Sequence, residues 1–179
     1  MSSNPAYICS KPINIFVAIG ANLVPAGYRN LHDALEDAVS HLSATSLHLI
    51  RRSDWFISRA VPASDQPDFL NAVLAMESNF SALKTLTILH ECEASFGRTR
   101  TTINEARVLD LDLLSYGQSI IEDETITVPH PRLSARSFVL MPWAQIAPEW
   151  QHPISQMTIA DMLEALPSEQ KRPPAIAPW

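Results

Sequence analysis

The run Val108-Leu109-Asp110-Leu111-Asp112-Leu113-Leu114 constrains this chain more than any other stretch, because it sets two carboxylates two residues apart inside an apolar segment. Side chains alternate along an extended strand. Asp110 and Asp112 therefore share one face, while Leu109, Leu111 and Leu113 turn to the other, into a core. Like charges that close are costly to hold half-buried, and a hard divalent cation bound by carboxylate oxygens neutralises them. The strand thus reads as a metal platform. Taken alone, an arbitrary D-x-D is more often the wet face of an amphipathic strand, so its surroundings must decide.

Arg98, Arg100 and Arg107 lie just upstream, in a chain whose formal net charge is -6. Guanidinium forks bind phosphate oxygens bidentately while metal ions bridge others, so arginines beside a carboxylate pair suit a polyphosphate. Loop arginines are also commonly just solvated, which leaves the two readings level at this point. An isoelectric point near 5.4 argues against a nucleic-acid surface, which needs a longer basic stripe. The apolar runs are too short to span a bilayer. Met1 to Pro12 has no charged n-region followed by an apolar h-region, so a cytoplasmic protein is expected. Cys9 and Cys92 stand apart without metal or redox spacing, and read as reduced thiols.

At 179 residues the chain suits one domain. Its 46% hydrophobic and 18% charged residues exclude wholesale disorder. The pattern predicts a strand over Ile13–Ile19 closed by Gly20, then a helix over about Tyr28–Ser43. Strands follow over Leu47–Ser58 and Phe69–Glu77, with Ala60–Pro67 as the loop between them, then a helix over Ser81–Phe96 capped by Ser81. After the arginine loop comes the Asp strand. The order β-α-β-β-α-β is that of the ferredoxin-like α+β arrangement, an antiparallel sheet with helices packed on it. Beyond it, Ile126–Arg136 reads as a proline-rich loop, Phe138–Ile146 as an apolar segment and Thr158–Leu166 as a short helix. Residues 1–12 are expected to be a flexible N-terminal segment, 13–166 a single catalytic domain, and 167–179 an extended proline-rich tail.

Six blocks carry a resemblance: Ala18-Ile19-Gly20-Ala21-Asn22-Leu23, Asp65 to Val73, Gly97-Arg98-Thr99-Arg100, Arg107 to Leu114, Val128-Pro129-His130-Pro131-Arg132-Leu133, and Arg136-Ser137-Phe138-Val139-Leu140 followed by Ile146-Ala147-Pro148. In their order and spacing they resemble the 6-hydroxymethyl-7,8-dihydropterin pyrophosphokinases of folate biosynthesis, over roughly Ile13 to Glu149. The resemblance implies transfer of a pyrophosphoryl group from ATP to the hydroxymethyl group of a reduced pterin, with release of AMP and two magnesium ions. It implies that Asp110 and Asp112 hold the metals and that Arg98 and Arg107 clamp the moving phosphates. It puts Glu93, His90, Arg100, Leu111, Leu113, Thr127, His130 and Arg136 on the ATP side. It puts Asn71, Phe138 and Phe69, with backbone groups of Ser58, Ala60 and Val61, around the pterin. Read without it, the two phenylalanines are ordinary core residues, Glu93 and Arg136 are surface salt-bridge residues, and an isolated histidine between prolines would simply brace its loop.

The chain also departs from the family. Ile103-Asn104-Glu105-Ala106-Arg107 lacks the usual Trp-x-Pro-Arg closing the arginine loop and is about a residue shorter than in some members. Losing an aromatic cover and gaining Glu105 near incoming phosphates is expected to slow turnover; unchanged transient rates in Glu105→Pro would overturn this. His90 replaces a frequent glutamine, Pro62 a glycine, and Val24 a glycine. These departures motivate a second reading from another class, a non-catalytic relative that binds nucleotide or pterin as a regulatory or scaffolding partner. A third keeps the acids and arginines but transfers to another alcohol. A monomer is expected. The chain ends soon after the matched blocks, so no fused aldolase or synthase domain is expected.

Overall fold

The computed structural model describes residues 8–45, 47–60, 65–98, 106–167 and 175–177. Strand β1 (Ile8–Ala21) opens earlier than the apolar run suggested. It buries Ile15, Val17 and Ile19 on one face and turns Phe16 and Ala18 to the other, as a period of two requires. Helix α1 (Leu31–Ala44) begins at the Asn30 cap, whose side chain accepts from the Asp33 N–H. That cap sets the start later than the periodicity alone gave. Its apolar stripe, Ala34, Leu35, Ala38, Val39 and Leu42, is buried.

The single strand expected over Leu47–Ser58 is two, β2 (Leu47–Arg52) and β3 (Phe56–Ser58). Between them Ser53 bonds strand β4 (Phe69–Phe80) twice: its N–H donates to Val73 O, and its Oγ accepts from Val73 N–H, both at 3.0 Å. Trp55 then turns into the core, its indole N–H donating to Glu36 at 2.8 Å. Helix α2 (Ala82–Ser95) starts at Ser81, as expected. Strand β5 (Asp110–Tyr116) closes the βαββαβ unit.

The sheet runs β5-β1-β4-β3 and then Ala175–Ile176 of the C-terminal stretch, with β2 also on β4, and every described pairing within it is antiparallel. This is the α+β arrangement expected of the sequence. A short hairpin, β6 (Ile121–Glu122) and β7 (Thr127–Val128), and a 3-10 turn at Leu133–Ala135 occupy the proline-rich stretch. The apolar segment after it is helix α3 (Ser137–Ile146), and α4 (Ile159–Ala165) is capped reciprocally by Thr158 and Asp161. Strand β8 (Ala175–Ile176) comes from the C-terminal stretch and pairs with β3.

Two cores result. One lies between the sheet and helices α1 and α2, and includes Leu109, Leu111 and Leu113. The other, on the opposite face, joins Val73 and Leu114 to α3 and α4. Asp110 and Asp112 alternate with the first core, so they lie on the face that α3 and α4 cover only in part. None of the described helices is long and apolar enough to cross a membrane.

Candidate active site

The uncovered part of that face is a cleft, and its floor follows from strand register. Asp110 on β5 stands opposite Gly20 on β1, which stands opposite Asn71 on β4, which stands opposite Phe56 on β3. Asp112 likewise stands opposite Ala18. Carboxylates thus occupy one end of a row and a carboxamide the other, about two strand spacings or roughly 9.6 Å apart. Between them lie only the small residues Gly20 and Ala18.

Gly20 is required by that row. A Cβ there would lie 2.6 Å from Asn71 Oδ1, so only glycine admits the amide. Asn71 is buried, and its Nδ2 donates to Ser58 Oγ at 2.9 Å. Ser58, Ala60, Phe69, Asn71 and Phe138 all line the cleft, which brings the sequence-predicted pterin residues together. Val61 and Pro62 lie outside the described residues.

At the other end the acids are matched by cations. Asp110 is bound by Arg98 at 2.7 Å and by Arg107. Arg136 reaches Asp112 at 3.4 Å and lies 5.5 Å from the Phe138 ring centroid. Arg98 is delivered by the end of α2. Gly97 sits at φ +87° and its N–H bonds Ala94 O, while the Arg98 N–H bonds Glu93 O at 3.1 Å. This pair of bonds is the Schellman C-cap, which needs a residue in the left-handed region and so selects glycine. The chain folds back, and the Arg98 guanidinium meets the Glu93 carboxylate.

Glu93 is only 2% exposed, which removes the surface salt-bridge reading. Its Oε1 accepts from the Leu111 N–H at 2.7 Å, so it fixes β5 and Arg98 from behind the cleft. Leu111 and Leu113 face the first core, their side chains turned from the acids. Thr127 is exposed on β7 and His90 half-buried on α2; neither lines the cleft. Arg100 and Glu105 lie outside the described residues.

His130 follows the cis Val128–Pro129 bond, and its N–H bonds Leu114 O at 2.9 Å. Its Nδ1 accepts from the Arg132 N–H at 3.1 Å, which leaves the proton on Nε2, 3.8 Å from Asp112. Burial pushes the His130 pKa down, helped by Arg136 and Arg132 and opposed by Asp112. The contact is therefore that of a neutral imidazole. Burial also lowers the Arg136 pKa, against the pull of Asp112.

Sequence reasoning missed four residues. Arg59, Gln66 and Arg132 line the cleft. Asn22 accepts from the Arg107 N–H at 2.7 Å and donates to Gln66 Oε1 and Pro67 O, both at 3.2 Å, tying the base of the arginine loop to the loop before β4. Asn22, Gln66 and Arg132 stood inside the motif blocks, which was their signal; Arg59 gave none.

The sequence profile of the 7,8-dihydro-6-hydroxymethylpterin-pyrophosphokinases (HPPK) matches residues 16–148. The chain belongs to the HPPK family. Among relatives of this HPPK chain, the 2-amino-4-hydroxy-6-hydroxymethyldihydropteridine pyrophosphokinase of Haemophilus influenzae is 40% identical over 145 residues, 81% of this chain and 88% of that one. The Pseudomonas aeruginosa protein of the same name is 36% identical over 155 residues, covering 87% and 93%. The solved Plasmodium falciparum HPPK-DHPS, crystallised with pteroate, superposes with a TM-score of 0.67 at 12% identity. That match covers 85% of this chain and 44% of the longer one, and it bears on the HPPK fold alone. ATP is the family's co-substrate, and magnesium is general for such kinases.

The HPPK site fits magnesium. Its donors are hard carboxylate oxygens, and among the described residues no cluster of three or more His, Cys, Asp or Glu side chains forms a closed cage. Magnesium is commonly held by one or two carboxylates and completed by substrate phosphates and water.

Proposed function

We infer that this chain transfers the pyrophosphoryl group of ATP to the hydroxymethyl group of 6-hydroxymethyl-7,8-dihydropterin, giving AMP and the pterin diphosphate in folate biosynthesis. The observation that carries the reading to individual residues is the row Asp110, Gly20, Asn71, with acids and arginines at one end and an amide at the other. The acceptor hydroxyl gives up its proton to water as its oxygen bonds the β-phosphorus, while the bridge to the α-phosphate breaks and AMP leaves. Positioning and electrostatics supply most of the acceleration in such a displacement.

In this proposal Asn71 presents a donor and an acceptor to the pterin edge, and Phe138 and Phe69 flank its ring. Arg98, Arg107 and Arg136 meet phosphate oxygens, each transition-state contact being worth about 3–4 kcal/mol by analogy with oxyanion donors. Asp110 and Asp112 would hold two magnesium ions, which when bound neutralise charge on the phosphate oxygens. Neutral His130 keeps its Nε2 proton to offer. The proposal includes a monomer in the cytoplasm.

A non-catalytic relative is not favoured, since the relatives named above are pyrophosphokinases. The deciding experiment measures AMP release from ATP and magnesium with and without the pterin, and identifies the product by mass. One AMP per diphosphorylated pterin is expected, and Asp112→Ala should abolish transfer while melting like the parent. Binding of both ligands without AMP would overturn the reading.

A further inference from the structure

Strand β3 is three residues long, yet Ser58, Arg59 and Ala60 at its end form one wall of the cleft. A strand that short, paired only with β4, would be a fraying edge. Strand β8 gives it a second neighbour, with Ile176 opposite Phe56 and Ala175 opposite Ile57. One residue on, the Ala177 N–H donates to Trp55 O at 2.8 Å, and Ala177 is 6% exposed, packed into the first core. Trp55 is itself tied to Glu36 of α1 and lies 4.8 Å under the Arg52 guanidinium. The family profile ends at residue 148, so these contacts come from outside it.

We propose that Ala175–Ala177 is a C-terminal strap that positions β3, and through Ser58 the Asn71 amide, for the acceptor substrate. The proposal rests on the pterin reading of the cleft. The coupling is short: Ser58 Oγ takes one Asn71 N–H at 2.9 Å, and Phe56, beside β8, stands directly opposite Asn71. If β3 frays, the amide loses the bond that fixes its orientation, and its hold on the pterin edge weakens by about one hydrogen bond. Asp110 and Asp112 are separated from β3 by β1 and β4. Loss of the strap should therefore act on one substrate and spare the other.

The test compares the full chain with one ending at Pro167. The expected result is a KM for the pterin raised about fivefold, the factor carried by one lost hydrogen bond, with kcat and the KM for ATP within about twofold of the parent. Amide hydrogen exchange at Phe56–Ser58 should accelerate while that of α3 stays the same. An unchanged pterin KM overturns the proposal. So does a parallel rise in both KM values with a lowered melting point, which marks general destabilisation. Should the shortened chain fail to melt cooperatively, Ala177→Pro decides. It removes the donor to Trp55 O and restrains Ile176 beside it, loosening the strap without deleting it, and must give the same split to a smaller degree; an unchanged pterin KM overturns the strap there too. A full chain that releases no AMP with pterin defeats the functional reading instead, and exchange at the β3 amides then decides the strap alone.

Discussion

Replacing Gly20 with alanine separates the two ends of the cleft. The new Cβ would fall 2.6 Å from Asn71 Oδ1, about 0.8 Å short of ordinary contact at 3.4 Å. The β1–β4 ladder is continuous from Ile13 to Ala21, so the side chain gives way rather than the strands. Displacing the amide breaks its bond to Ser58 and, on the proposed reading, withdraws two hydrogen bonds from the pterin edge. At about 1 kcal/mol each, the loss is about 2 kcal/mol, or roughly 30-fold in the KM for pterin. The other atoms nearest that Cβ belong to Asn71 and Leu70, none to Asp110, so the KM for ATP should stay within about twofold. Steady-state AMP release, with each substrate varied in turn, reads both. The decisive comparison is a cycle with Asn71→Ala. If Gly20→Ala acts only through the amide, the double variant is no worse than the poorer single one, a coupling of about 2 kcal/mol. Additive losses, or a pterin KM unmoved by Gly20→Ala, would refute the argument.

Gly97→Ala should lower stability by about 1–2 kcal/mol, the strain of a side chain at positive φ, and lower kcat as Arg98 shifts; chemical denaturation and kinetics at saturating substrate check both. Arg98→Met and Arg107→Met should each lower kcat by about 10²–10³-fold, and Arg98→Met should also lower stability, because it takes the guanidinium from buried Glu93; the same two measurements check this. His152 accepts the Ile154 and Ser155 N–H groups on Nδ1, and burial lowers its pKa. The unfolded chain therefore takes up that proton first, and stability falls as pH drops below about 6.5. His152→Asn, which stays neutral, should lose less melting temperature than the parent between about pH 7 and pH 5; parallel curves would refute it.

Period-two alternation in β5 and the helical stripe of α1 placed part of the core: Leu109, Leu111 and Leu113, with Leu35, Ala38, Val39 and Leu42. What failed were features fixed by partners distant in sequence. The expected strand over 47–58 breaks because Ser53 satisfies Val73, 20 residues away, and no local signal announces that partner. In the site, the shared face of Asp110 and Asp112 was legible, since it needs only alternation. The burial of Glu93 was legible in principle: it stands four residues after buried Leu89 on α2, on the same stripe. The Asn22 clamp was not, because its worth depends on Arg107, 85 residues on.

The arginines rest on the very carboxylates assigned to magnesium, and this explains how so charged a cleft stays folded without ligand. Among the described residues, Arg98 and Arg107 compensate Asp110, and Arg136 compensates Asp112. On the proposed reading, loading ATP with magnesium would be an exchange of partners. The acids would trade guanidinium for metal and the arginines carboxylate for phosphate, so that neither would be stranded at the 3–5 kcal/mol or so of an unpaired buried charge. Glu93 cannot join that exchange, being buried and bound to the Leu111 N–H. Its carboxylate meets the Arg98 guanidinium behind the cleft. Arg107 has 28% of its side chain exposed against 12% for Arg98, so on the proposed reading Arg98 would hold a fixed charge at the back of the cleft and Arg107 would follow the phosphates.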